Sequence, residues 1–312
     1  MQTPVNENAT KNARALLNYL SDTAGHAIIT GQHTQTNYME EAVYIREKTG
    51  KLPKLRGFEL LSYSLNINYE GASFECLKEI YDNRGTLDTA MRWAKESDGI
   101  VTFTFHWFSP LGGHDKSFYM EKTDFDASRV LDEGTPERKA FYHDMDALAE
   151  LLKPFCDEDI PILWRPFHES EGTWFWWGAQ GPETARELYK LMYEHFTRKH
   201  HLDNLLWVWN CPLKEGYPGD EYVDVISRDI YLESYKPTDY ADEYRELIEN
   251  TGCHKVAAIA ENGYLPDITR LAESHIPWAY YMTWSREFCI GEQYNTVEHL
   301  KELYASDYAI SE

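Results

Sequence analysis

Glu169 ends the run Leu163-Trp164-Arg165-Pro166-Phe167-His168-Glu169, and Glu261 ends the run Val256-Ala257-Ala258-Ile259-Ala260-Glu261. Two carboxyl groups brought to one bond can divide acid catalysis between them. One protonates the leaving oxygen, and the other attacks the neighbouring carbon or activates water. Cleavage of a glycosidic linkage needs that pair, about 5–5.5 Å apart for retention or about 6.5–9.5 Å for inversion. The two roles require different proton affinities. Arg165, His168 or Asn262 could favour a carboxylate, and walls from Trp174 and Trp176 could favour the neutral acid at Glu169. A salt-bridged glutamate at a protein rim is the plainer account of either residue alone.

Alternating elements must position this pair. Short apolar or β-branched runs predict strands at 27–30, 55–62, 100–105, 160–165, 205–209, 225–230, 256–260 and 278–283. Near-continuous apolar runs suit strands buried on both faces. Helical spacing between them predicts helices such as 13–20, 139–155, 184–199 and 240–250. Eight strands alternating with helices over 312 residues predict an α/β fold, a single (β/α)8 TIM barrel spanning 1–312 as one catalytic domain. An open doubly wound sheet is disfavoured because Gly31-Gln32-His33-Thr34 is not a glycine-rich phosphate turn. Roughly 30 residues per βα unit puts Glu169 on strand four and Glu261 on strand seven, nearly opposite each other. Polar or aromatic groups also end the other strands: His33, Ser62-Tyr63, His106-Trp107, Asn210, Asp229-Ile230-Tyr231 and Trp284-Ser285-Arg286.

Composition narrows the ligand. A net charge of −22 opposes nucleic acid and polyanionic polymers and leaves neutral polymers unrepelled. The 10 Trp and 22 Tyr suit a cleft lined with flat aromatic faces as well as a large core. Gly172-Thr173-Trp174-Phe175-Trp176-Trp177-Gly178 is the densest such stretch. His168-Glu169-Ser170-Glu171-Gly172 lacks the second histidine of H-E-x-x-H. A metal-dependent hydrolase built on His33, His106 and His168 would want two histidines on the first strand, where only His33 stands. No metal and no cofactor are expected. Five scattered cysteines with no C-x-x-C pair read as small buried hydrophobes. No apolar run is long enough to span a membrane. The polar opening lacks a signal core. Secretion with a leader outside this sequence is expected, intracellular residence being the alternative, and the chain is expected to be a monomer.

The segment Arg165-Pro166-Phe167-His168-Glu169, followed by Gly172-Thr173-Trp174-Phe175-Trp176-Trp177-Gly178, resembles the signature of glycoside hydrolase family 26. The resemblance runs from Gly31-Gln32-His33 to Trp284-Ser285-Arg286. It implies a (β/α)8 barrel, mostly β-mannanase activity on a β-linked polysaccharide or oligosaccharide, Glu169 as acid/base and Glu261 as nucleophile. By position it implies that His168 meets the sugar, Tyr231 hydrogen-bonds the nucleophile, Trp174 stacks at +1 and Trp284 underlies −1. It further implies that His106 and Trp107 line the glycone side, Asn210 and Asp229 support the site, and Arg286 is a glycone-side arginine. Many relatives carry Met-Asn after the catalytic glutamate, where Ser170-Glu171 stands here. An endo-β-1,4-mannanase is the function expected. A mixed-linkage β-glucanase and a non-catalytic carbohydrate-binding barrel are the alternatives.

Overall fold

A computed structural model describes residues 2–251 and 254–312. Eight parallel strands form a closed ring: β1 (Gly31–Thr34), β2 (Leu55–Glu59), β3 (Ile100–Thr104), β4 (Ile162–Arg165), β5 (Leu205–Asn210), β6 (Val225–Ile230), β7 (Val256–Asn262) and β8 (Trp278–Thr283). Each pairs with the next, and β8 closes the ring on β1 through Gln32 opposite Thr283. Helices lie between the strands, so the fold is a (β/α)8 barrel. A two-residue strand, Ile28–Ile29, precedes β1 and pairs with Ala309–Ile310.

Strand alternation sorts the apolar residues into two layers. Leu55, Ile100, Leu163, Leu206, Val208, Val225, Val256, Ala258 and Met282 form the barrel interior. Ala13, Leu16, Leu17 and Leu20 of the helix Lys11–Thr23 join that cluster and plug one end. Ile162, Trp164, Ile226, Ala257 and Ile259 face outward into the larger core under the helices. Thr135 caps the helix Pro136–Asp157 by accepting the Arg138 N–H, and Pro136 occupies its first turn. That helix buries Phe141, Met145, Leu148, Leu152 and Phe155. The helix expected over 184–199 is Pro182–Glu194, and its continuation, His195–Lys199, is a π-turn.

Two strand ends differ from expectation in ways that matter. The second strand stops at Glu59, because the Glu59 carboxylate takes the N–H of Leu61 (2.9 Å) and starts a 3-10 turn at Leu61–Tyr63. Ser62 and Tyr63 therefore lie beyond the strand end. The seventh strand runs on to Asn262 with a register shift between Arg228 and Asp229 of its neighbour, so Asp229 sits opposite Glu261. Cys76, Cys211 and Cys289 are buried and Cys156 partly so, all as free thiols, whereas Cys253 lies outside the described residues.

Candidate active site

The interior-facing parity of β4 runs through Leu163 to Arg165, and that of β6 through Val225 and Ser227 to Asp229. Arg165 and Asp229 thus meet at the C-terminal mouth. On β7 the outward residues are Ala257 and Ile259, so strict alternation would turn Glu261 outward as well. The bulge at the Arg228/Asp229 step absorbs one residue and turns Glu261 inward. Arg165, 1% exposed, donates to Asp229 Oδ2 (2.9 Å), to Thr104 Oγ1 (2.9 Å) and to Glu261 Oε1. Tyr231 Oη donates to the other Glu261 oxygen (2.9 Å).

Glu169 sits on strained backbone just past β4. Phe167 and Glu169 both adopt left-handed conformations, with φ of 54° and 53°. Such angles are costly for residues with side chains and persist where surrounding contacts impose them. Here the Glu169 N–H donates to Asn210 Oδ1 (2.8 Å), and the Gly172 N–H returns to the Glu169 carbonyl (3.0 Å). Asn210 in turn donates to Asp229 Oδ1 (2.8 Å). Trp174, 46% exposed, donates its Nε1–H to Glu169 Oε2 (2.9 Å).

One carboxylate oxygen from each of Glu169, Asp229 and Glu261 lies within 4.8 Å of the others. An approach inside that bound fits the closer, retaining arrangement and not the wider inverting one. Burial, then Asp229, then Glu171 push the Glu169 carboxyl up to about 8. Burial and Asp229 raise Glu261 as well, to about 8, while Arg165 pulls it back. Three carboxyls this close cannot all ionise cheaply, so the cluster holds a proton near neutrality. Hydrogen bonding decides where it resides. Glu261 and Asp229 receive the guanidinium, and Glu169 has only the indole N–H, so Glu169 is the protonated member. Burial works against charge on Arg165, but Asp229 and Glu261 hold it firmly protonated. The trio could hold a cation in principle; Arg165 already fills that electrostatic role.

Around this centre the rim is aromatic. Trp284 stacks on His33 (3.9 Å between centroids, 16°) and approaches the His106 ring edge-on. His106 Nδ1 lies 2.7 Å from Glu59 Oε2, and its backbone N–H donates to Glu59 Oε1 (3.0 Å). Burial opposes charge on His106, but Glu59 outweighs it and lifts its pKa above the usual value. His168 is buried edge-on to His106 with its Nδ1 unpartnered, and burial holds both His168 and His33 neutral. Arg286, exposed and in a left-handed conformation, extends toward Asp82 (3.8 Å), and its backbone N–H donates to Glu41 (2.9 Å).

Two expectations need correcting. Trp107 does not line the cleft. Its indole is buried, stacks on Phe105 and Phe141, and donates to Asp144 Oδ2 (2.9 Å). Thr104 and His106 share the cleft-facing parity, so the next residue turns into the core. Trp176 is likewise buried, with its Nε1–H on the Trp107 carbonyl (2.7 Å), and leaves Trp174 alone beside Glu169. Asn262 spends its amide on the Tyr264 carbonyl, so among the three candidates Arg165 is the partner of a carboxylate. Glu59 and Thr104 were not anticipated. A carboxyl at the fifth residue of an apolar run was the available signal for Glu59. Thr104 has no mark beyond its strand parity.

A (β/α)8 barrel with opposed carboxyls at the ends of its fourth and seventh strands has the arrangement of a barrel glycoside hydrolase. The glycosyl hydrolase family 26 profile matches residues 5–312, and the chain belongs to that family. It is 36% identical, over 98% of its length, to a mannan endo-1,4-beta-mannosidase of Thermothelomyces thermophilus, and 30% identical over 97% to mannan endo-1,4-beta-mannosidase B of a Piromyces species. It spans 62% and 52% of those two proteins. The Podospora anserina GH26-CBM35 beta-(1,4)-mannanase superposes with a TM-score of 0.87 at 35% identity, covering 99% of this chain and 68% of that one. A beta-mannanase from a symbiotic protist of the termite Reticulitermes speratus, complexed with gluco-manno-oligosaccharide, gives 0.87 at 27% identity, covering 99% and 96%.

Proposed function

We propose that this chain is a retaining endo-β-1,4-mannanase, one catalytic barrel domain that hydrolyses mannan, glucomannan and galactomannan. The observation that carries the mechanism is the carboxylate pair whose oxygens approach within 4.8 Å at the ends of β4 and β7. The relatives named above support the substrate class. Glu169 donates its proton to the glycosidic oxygen while Glu261 attacks the anomeric carbon, forming a glycosyl-enzyme. Glu169 then takes a proton from water, which displaces Glu261 and releases the sugar with its configuration retained. Arg165 and Tyr231 keep Glu261 ionised and aimed. Trp174 offers a face to the +1 sugar and orients Glu169, and Trp284 forms the floor beneath −1. His106, His168, Asn210, Asp229 and Arg286 complete the polar lining and its support. The enzyme acts as a secreted monomer; among the described residues no helix is long and apolar enough to cross a membrane.

Glu261→Ala and Glu169→Ala each abolish most hydrolysis of galactomannan while oligosaccharide binding persists. Azide added to the Glu169→Ala enzyme yields a β-glycosyl azide, and added to Glu261→Ala an α-glycosyl azide. The opposite pairing, or near-wild-type turnover by either variant, overturns the roles. Glucomannan, galactomannan and barley glucan assayed side by side test the substrate, and faster turnover of barley glucan overturns the mannanase reading.

A further inference from the structure

Asp146 lies midway along the helix Pro136–Asp157, which precedes β4, and the π-turn His195–Lys199 ends the helix that follows β4. The Nε2 atoms of His195 and His200 lie 2.6 and 2.7 Å from one oxygen, Asp146 Oδ1. Lys199 Nζ reaches the same oxygen at 2.8 Å. Three nitrogens crowd one carboxylate oxygen, which is more than its lone pairs can serve well. The backbone accounts for the convergence. In an α-helix, residues five apart point about 140° away from each other. The His200 N–H instead bonds the His195 carbonyl (3.2 Å), a five-residue closure that swings both imidazoles to one side. Both rings are shielded, with side chains 9% and 14% exposed, whereas the Lys199 side chain is 56% exposed and free to leave. Behind His200, Nδ1 lies 4.0 Å from Glu150 Oε1, beyond hydrogen-bond distance. No catalytic role accounts for the cluster, which sits at the C-terminal end of a barrel helix and so away from the mouth.

We propose that Asp146, His195 and His200 form a binding site for a divalent transition metal, with zinc the best fit. Two neutral imidazoles and one carboxylate are a three-ligand zinc set, leaving a fourth position for water. Metal–ligand bonds of about 2.0–2.1 Å in a tetrahedron put ligand atoms about 3.3 Å apart, so the cluster opens by roughly half an ångström or more as Lys199 swings out. The bound ion staples the two helices that flank the strand leading to Glu169. It therefore stabilises the fold and leaves the chemistry of the mouth untouched.

The test is zinc content after dialysis against micromolar Zn2+, with thermal melts, for the wild type and for His195→Gln/His200→Asn, Lys199→Ala and Glu261→Gln. The wild type and Glu261→Gln retain one zinc per chain, and their Tm rises with the logarithm of zinc concentration. The double variant retains none and its Tm ignores zinc, while its hydrolytic activity in zinc-free buffer matches wild type. Lys199→Ala binds zinc several-fold more tightly because the competing ammonium is gone. Co2+ in place of zinc gives a tetrahedral visible spectrum in every protein that keeps both histidines. Equal zinc in the wild type and the double variant, loss of zinc in Glu261→Gln, or no zinc in Lys199→Ala overturns the proposal.

Discussion

Arg165→Met isolates the electrostatic keystone of the mouth. The arginine is 1% exposed, and its two carboxylate partners are 2% and 4% exposed at their side chains. Removing one partner of a buried ion pair costs about 3–5 kcal/mol because a charge is left unpaired. At roughly 2 °C per kcal/mol for a chain of this size, Tm falls by about 6–10 °C. The lost charge-assisted hydrogen bond on Glu261 is worth about 1.5–3 kcal/mol, or about one to two units of proton affinity. On the acid side of the pH profile, ionised Glu261 becomes about 10–100-fold scarcer, and kcat/KM on mannohexaose falls there by the same factor. Adding Asp229→Asn removes one stranded charge, so the double variant recovers part of the lost Tm without recovering turnover. Differential scanning calorimetry and initial rates measure both. A single variant that melts and turns over as the wild type does, or a double variant less stable than the single, refutes the keystone role.

The alkaline limb of kcat/KM should fall near pH 8, where Glu169 loses its proton, and Glu171→Gln should move that limb to lower pH by removing a like charge; an unmoved limb in a folded Glu171→Gln enzyme counts against the assignment. Stability should also decline as pH rises through about 6.5–8. The native state there keeps protons on Glu169 and Glu171, raised to about 8 and 7, which the unfolded chain has shed. Below that window the buried neutral His33 and His168 act in the opposite direction, so the decline is sought only above it. A melt series in which Tm climbs from pH 7 to 8.5 would contradict these assignments. Gly172→Ala should raise KM more than it lowers Tm, because the new Cβ would lie 2.1 Å from Trp174 ring atoms and displace the indole; unchanged kinetics with mannopentaose would show that Trp174 does not need that seat.

Periodicity made most of the barrel legible. Strand six at Val225–Ile230 and strand eight at Trp278–Thr283 have the bounds their patterns predict. What alternation could not reveal is where it breaks. The bulge beside Asp229 leaves no mark in Val-Ala-Ala-Ile-Ala-Glu, yet it decides which way Glu261 points. Leu60 and Leu61 disguise the end of strand two, because an apolar turn tucked under a loop reads like more strand. His106 and Trp107 are equally suited to a cleft by type, and only the pleat separates the one that faces it. The cluster on Asp146 depends on a π-turn inside a helical pattern that reads as regular through Lys199.

The seat of Trp284 has a consequence for how the protein is made. Gln32 Nε2 donates to the carbonyls of Thr283 and Trp284 (both 3.0 Å), and His33 carries the indole on its face. Residues near the start of the ring thus wait for residues translated some 250 positions later. Until the last strand has left the ribosome the floor proposed for the −1 sugar is missing, however well the earlier strands have assembled. A nascent chain can already carry both glutamates and still lack the indole that His33 seats.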